Sequence, residues 1–199
     1  MLSHFPTSLT TAVFAVVASS LLGGCALPLS SQSSSGASSE PTSTEMKIQA
    51  EAAQERIRSL GLQWSYHSGT DEMTFGTVRY AVVNSLNEVQ FGFPYQRAQR
   101  ASLRLRKHPR FGKDVIVTVE RGQFLCHLDN CSVLVRYDEG MAWEYRATEL
   151  EDRSTTALFI QGYADVVASL KKSKTVRIEA KFYQEGPRTF EFDVRNLEW

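Results

Sequence analysis

Val176-Arg177-Ile178-Glu179-Ala180-Lys181-Phe182, followed after Gln184-Glu185-Gly186-Pro187 by Phe190-Glu191-Phe192-Asp193-Val194-Arg195, decides the fold class. Apolar and charged residues alternate in both runs. A period of two is the repeat of a strand whose faces meet different surroundings. Gly and Pro between the runs mark a turn. The pattern predicts an antiparallel sheet, dry on one face and wet on the other.

Working outward, the same alternation recurs in Leu62-Trp64-Tyr66, Val78-Tyr80-Val82, Leu103-Leu105 and Val115-Val117-Val119. Phe124 to Cys126, Val133 to Tyr137, Trp143 with Tyr145, and Leu158 to Ile160 read as further short strands. Two helices interrupt them. Thr44 to Leu60 is rich in Ala, Glu and Gln and stops at Gly61. Tyr163, Val166, Val167 and Leu170 fall at helical spacing, with Lys171, Lys172 and Lys174 where cations suit the dipole. Nine or ten strands with one or two short helices predict a mainly β domain, an antiparallel β-sandwich or a partly open barrel. That domain spans 45–199, a length able to bury roughly 70% of its unfolded surface.

The run Leu9 to Leu22 carries no charge and is too short to span a bilayer comfortably, which takes about 20 apolar residues. It ends in Leu22-Gly23-Gly24-Cys25, which resembles a bacterial lipobox. The resemblance implies that 1–24 is a lipoprotein signal peptide and that the mature chain begins at an acylated Cys25. It implies multiple acyl chains, which anchor stably where one binds reversibly. Ala26 beside the cysteine favours the outer membrane under the family's sorting rule. An ordinary secretory signal with an incidental cysteine is the alternative, since 1–8 contains no Lys or Arg. Residues 25–44 follow as a tether. From 28 onward Ser, Thr, Gly and Pro dominate, a composition too polar to fold, with a reach on the order of 20–25 Å.

Export makes Cys126 and Cys131 an even pair in an oxidising compartment, so a disulfide across a hairpin is expected. The rival reading is a metal site using Cys126, His127, Asp129 and Cys131. No second ligand pair has a familiar spacing, and no cofactor is expected.

The chain balances 22 Lys and Arg against 22 Asp and Glu, so net charge predicts no nucleic-acid partner. The charge is uneven, however. Arg97, Arg100, Arg104, Arg106, Lys107, Arg110 and Lys113 occur with no acid among them. Such a field suits anionic lipid heads, phosphorylated sugars or an acidic protein surface. The plainer reading is a solvated strand face paired with the acidic stretch Asp138 to Asp152. Phe91-Gly92-Phe93-Pro94-Tyr95 is either a protruding aromatic loop or a plug of the domain's end. His67, His108 and His127 adjoin no nucleophile in a recognisable frame, and Asp138-Glu139 and Glu151-Asp152 read as turn charges.

Trp64, Asn84-Ser85, Leu103-Arg104-Leu105-Arg106, Phe124-Leu125-Cys126 and Phe192-Asp193-Val194 with Leu197 occur in an order that resembles uncharacterised bacterial envelope lipoproteins. More distantly the order is similar to accessory proteins associated with type VI secretion. The resemblance implies no functional residue. The expectation is a non-enzymatic envelope lipoprotein facing the periplasm, which contacts membrane lipid through Cys25 and an envelope protein or polymer through its β domain. An inhibitor of a wall-degrading enzyme such as lysozyme is one alternative. An enzyme on an envelope polymer, built around His67, His108 or the acidic loops, is the other.

Overall fold

In the computed structural model the described residues are 42–126, 131–150 and 154–199; the leader, Cys25, almost all of the tether, His127, Asp129 and the pair Glu151-Asp152 lie outside them. The element order is α1 (Ser43–Leu60), β1 (Ser65–Thr70), β2 (Thr77–Asn84), β3 (Val89–Gln90), β4 (Ala98–Gln99), β5 (Ala101–His108), β6 (Gly112–Val119), β7 (Ser132–Tyr137), β8 (Ala142–Glu149), β9 (Ala157–Ile160), α2 (Tyr163–Leu170), β10 (Thr175–Phe182) and β11 (Gly186–Asp193). Nine strands form one sheet in the order β1-β2-β5-β6-β9-β8-β7-β10-β11, every pair antiparallel. The protein is therefore mainly β, as expected.

The sheet coils until its inner faces share one core. Ala81, Val83, Leu103, Leu105, Val115, Val117, Val133, Val135, Ile178, Phe190 and Phe192 all belong to a single buried cluster, and Val166 and Leu170 of α2 join it. Closure is incomplete, because β1 and β11 do not pair. Instead Leu86 N donates to Glu191 O at 2.7 Å, and the Asn87 amide takes the place of a strand. Its Nδ2 donates to Thr189 O at 2.9 Å, and its Oδ1 accepts from Glu191 N at 2.8 Å. Trp64 Nε1 adds a bond to Val194 O at 3.2 Å. An open barrel laced by side chains is the result.

Two elements differ from their predicted form. α1 begins earlier than expected because Thr42 and Glu45 form a capping box, each side chain meeting the other's backbone N–H. No side chain of α1 is buried. The helix is held at its last turn, where Gly61 adopts φ +67 against Arg195, Arg195 Nη2 donates to Arg58 O, and Asn196 Nδ2 donates to Leu60 O. Leu62 and Trp64 precede β1 rather than lying in it. Trp64 turns inward to cap the core, and Leu62 stays exposed.

The cysteines are joined, Cys126 to Cys131, with Cα atoms 4.7 Å apart. They do not bridge a hairpin. Phe124 pairs with Phe182 of β10, with Leu125 N donating to Lys181 O and Tyr183 N to Gln123 O. β7 pairs with the same edge of β10 lower down, at Glu179 to Val176. Residues 123–125 and β7 thus occupy one row beside β10, and the disulfide closes the interruption between them. Reduction is expected to cost about 2 kcal/mol, because the ring it closes is short. Denaturant midpoints with and without reductant measure this. A loss above twice that value would mean that the row itself falls apart.

Candidate functional site

The barrel end formed by the β5–β6 turn, the ends of β8 and β9, and the start of α2 carries a concavity of about 870 Å³. Its walls include Arg106, Phe111, Lys113, Asp114, Phe159 and Tyr163, with Glu149 at the edge. Alternation positions the charged wall. Leu103 and Leu105 point into the core, so Arg104 and Arg106 point out, and the cross-strand partner of Arg106 is Asp114. Their ion pair is short, with Arg106 Nη2 at 2.6 Å and Nε at 2.7 Å from Asp114 Oδ2. The guanidinium also lies over Phe111 at 5.7 Å and Phe159 at 5.6 Å. The two rings and the pair make a preformed surface, apolar with one fixed polar edge, of the kind that holds ligands.

The basic segment divides once it is folded. Arg100 pairs with Glu88 at 3.0 Å, Arg106 with Asp114, and Arg110 with Asp71 at 2.8 Å. Arg104 lies over the Tyr80 ring at 5.7 Å. Among the described residues the partners of these arginines are therefore local, and none lies in 138–150. Asp138 instead accepts from Lys174 N and Thr175 N, which hold its carboxyl below the usual range, the Thr175 bond first. Glu139 pairs with Arg136 and Arg177. Arg97 lies in the 91–97 loop, where its backbone oxygen accepts from Phe91 N.

Lys107 and Lys113 behave differently. They are direct cross-strand partners on β5 and β6, and Lys107 is also the partner of Arg79 on β2. Alternation places this row on the inner side of the sheet, toward the barrel end. The ring of Trp199 lies 4.4 Å from Lys107 Nζ and 5.7 Å from the Arg79 guanidinium. Trp199 Nε1 donates to Tyr163 Oη at 2.6 Å, and Lys171 Nζ donates to the main-chain oxygen of Trp199. Burial holds the Lys107 ammonium below the usual lysine value, and the charges of Arg79, Lys113 and Lys171 push the same way.

Of the described histidines, His108 is tied into a cluster between two turns. Nδ1 of His108 accepts from Arg110 N at 3.2 Å, while Nε2 faces Asp71 Oδ1 at 3.6 Å. Asp71 is buried and accepts from Thr74 Oγ1 and N, then from Arg110. These bonds, that of the Thr74 hydroxyl first, keep its carboxyl below the ordinary value. The cluster clamps the β1–β2 turn to the β5–β6 turn. His67 lies on β1, exposed and apart from it. Among the described residues no group of three His, Cys, Asp or Glu is placed to hold a metal.

The aromatic segment is both things at once. Phe91 is buried, meeting Phe182 at 4.9 Å, while Phe93 is 78% exposed. Sequence reading missed the bare turn residues Met73, Phe75 and Met141, all more than 70% exposed; Trp143, read as a strand residue, lies in β8 with its ring in solvent. A large apolar residue in a turn breaks the two-residue period, and that break was the available signal.

Among the described residues no helix is long and apolar enough to cross a membrane. No family model matches the chain, and no curated protein sequence matches it. Among solved structures the chain is similar to invasion associated protein B from Bartonella henselae, at 17% identity and a TM-score of 0.38, over 66% of this chain and 84% of that one. No residue role transfers at that level of similarity.

Proposed function

We propose that this protein is a lipid-anchored, non-enzymatic binding module of the bacterial outer membrane, facing the periplasm, that captures an envelope protein or polymer. The observation that carries the reading is the concavity of about 870 Å³ at the barrel end, with Phe111 and Phe159 as its apolar walls and the Arg106–Asp114 pair fixed between them. The sequence Leu22-Gly23-Gly24-Cys25 supports the anchor, and the Ser-rich stretch after it supports a tether able to present the domain to a partner.

A photo-reactive residue at position 111 in living cells tests the binding role. A discrete adduct is expected there and not from position 183, which is also exposed but remote from the concavity. Equal, diffuse labelling at both positions removes the proposal. The anchor has its own test. Cys25→Ser is expected to move the protein from the membrane pellet to the soluble fraction in cell fractionation, because the acyl attachment supplies the stable membrane affinity. Retention of that variant in the pellet after a high-salt wash rules the anchor out.

A further inference from the structure

A folded sheet rarely sets like charges directly opposite one another, since such pairs are destabilising. Arg79, Lys107 and Lys113 are nevertheless consecutive cross-strand partners on β2, β5 and β6. Lys171, at the C-terminal end of α2, joins them through Trp199. Among the described residues none of these four cations pairs with an Asp or Glu side chain. Their shared partner is Trp199, whose ring lies over Arg79 and Lys107 without removing charge and whose main-chain oxygen accepts from Lys171. A recess of about 170 Å³ opens beside Arg79 and Trp199, bounded by Tyr66, Ser68 and Tyr80.

We propose that Arg79, Lys107, Lys113 and Lys171 form a binding site for a phosphate-bearing anion. The row supplies a forked guanidinium and ammonium point charges, the donors that phosphate oxygens take best. A lone carboxylate leaves most of the positive charge unanswered. Uncompensated repulsion retained in a stable domain is the cost that a ligand offsets. Burial first, and then the charges of Arg79, Lys113 and Lys171, hold the Lys107 ammonium below the usual lysine value. Lys113 also lines the concavity, so the two sites adjoin, while Arg79, Lys107 and Lys171 stand outside that lining and the site needs no lipid anchor.

Isothermal titration of the full chain with inorganic pyrophosphate tests it. Saturable binding is expected, weakened about tenfold or more in the double variant Lys107→Gln/Lys113→Gln, a loss on the scale of one or two charge-assisted bonds. A control with the same charge change on α1, Lys47→Gln/Arg56→Gln, is expected to bind as the parent does. Melting temperatures give a second readout, since Lys107→Gln without ligand is expected to be as stable as the parent or more so. Vesicles separate the sources of phosphate. The full chain carrying Cys25→Ser is expected to sediment with phosphatidylglycerol vesicles and not with phosphatidylcholine if the anion is a lipid head group. Binding of pyrophosphate without sedimentation assigns a soluble phosphate. Absence of both, equal loss in the α1 control, or a lowered melting temperature with unchanged pyrophosphate affinity overturns the site.

Discussion

Phe182→Ala is expected to lower the unfolding free energy by about 3–5 kcal/mol, the usual cost of emptying a buried aromatic position. Phe182 is 1% exposed and touches three rings from separate stretches of chain. Phe124 lies 4.5 Å away by ring centroid, Phe91 4.9 Å and Phe190 6.1 Å. The Phe124 contact coincides with the backbone bridge that holds 123–125 beside β10. The backbone is already close-packed here: at Gly122, with φ +130, an added Cβ would meet the Phe91 ring at 2.8 Å. The measurement is the denaturant midpoint at constant slope. Phe93→Ala, the same truncation at an exposed position of the 91–97 loop, is expected to change it little. A loss below about 1 kcal/mol for Phe182→Ala would mean that the aromatic cluster is not part of the cooperative core.

Much of the architecture was readable because it depends on local alternation. Residues of β2, β5, β6, β10 and β11 sort into inner and outer faces as a period of two requires, and α2 spans the residues that its helical spacing picked out. Strand order was not readable. β9, only Ala157 to Ile160, lies between β6 and β8, and nothing in four apolar residues names its neighbours. The row shared by 123–125 and β7 was equally hidden, since two strand-like runs flanking a short loop suggest a hairpin before anything else.

The candidate site shows the same division. The acid-free segment pointed to Lys107 and Lys113, but its arginines on the outer face attracted the first reading. Alternation that sends Arg104 and Arg106 outward sends Lys107 inward with Leu103 and Leu105, and that consequence needs only the period. Arg79, Lys171 and Trp199 come from distant parts of the chain, and pairing register together with the crossing C-terminal segment brings them in. The concavity was not foreseeable either, because its walls come from β5, β6, β8, β9 and α2, which only the sheet order makes neighbours.

Trp64→Ala is expected to cost about 3–5 kcal/mol, as much as a central core truncation, although Trp64 lies in no strand. The reason is its place where the sheet fails to close. Trp64 precedes β1 at one edge and donates from Nε1 to Val194 O just past β11 at the other. Its ring belongs to the core cluster, so the residue supplies both apolar cover and one lace of the open seam. Trp64→Phe separates these contributions. It keeps most of the cover and removes the donor, and about 1 kcal/mol is expected for the lost bond. Asn87→Ala removes the other lace and leaves Glu191 N and Thr189 O without their side-chain partners, at about 1–2 kcal/mol. An edge strand with bare backbone groups also invites a second chain. Asn87→Ala is therefore expected to give a concentration-dependent dimer or aggregate in sedimentation, while Trp64→Phe stays as the parent is. If Asn87→Ala remains unassociated and Trp64→Ala unfolds at the parent's denaturant midpoint, the seam is held by the strands alone and the lacing is incidental.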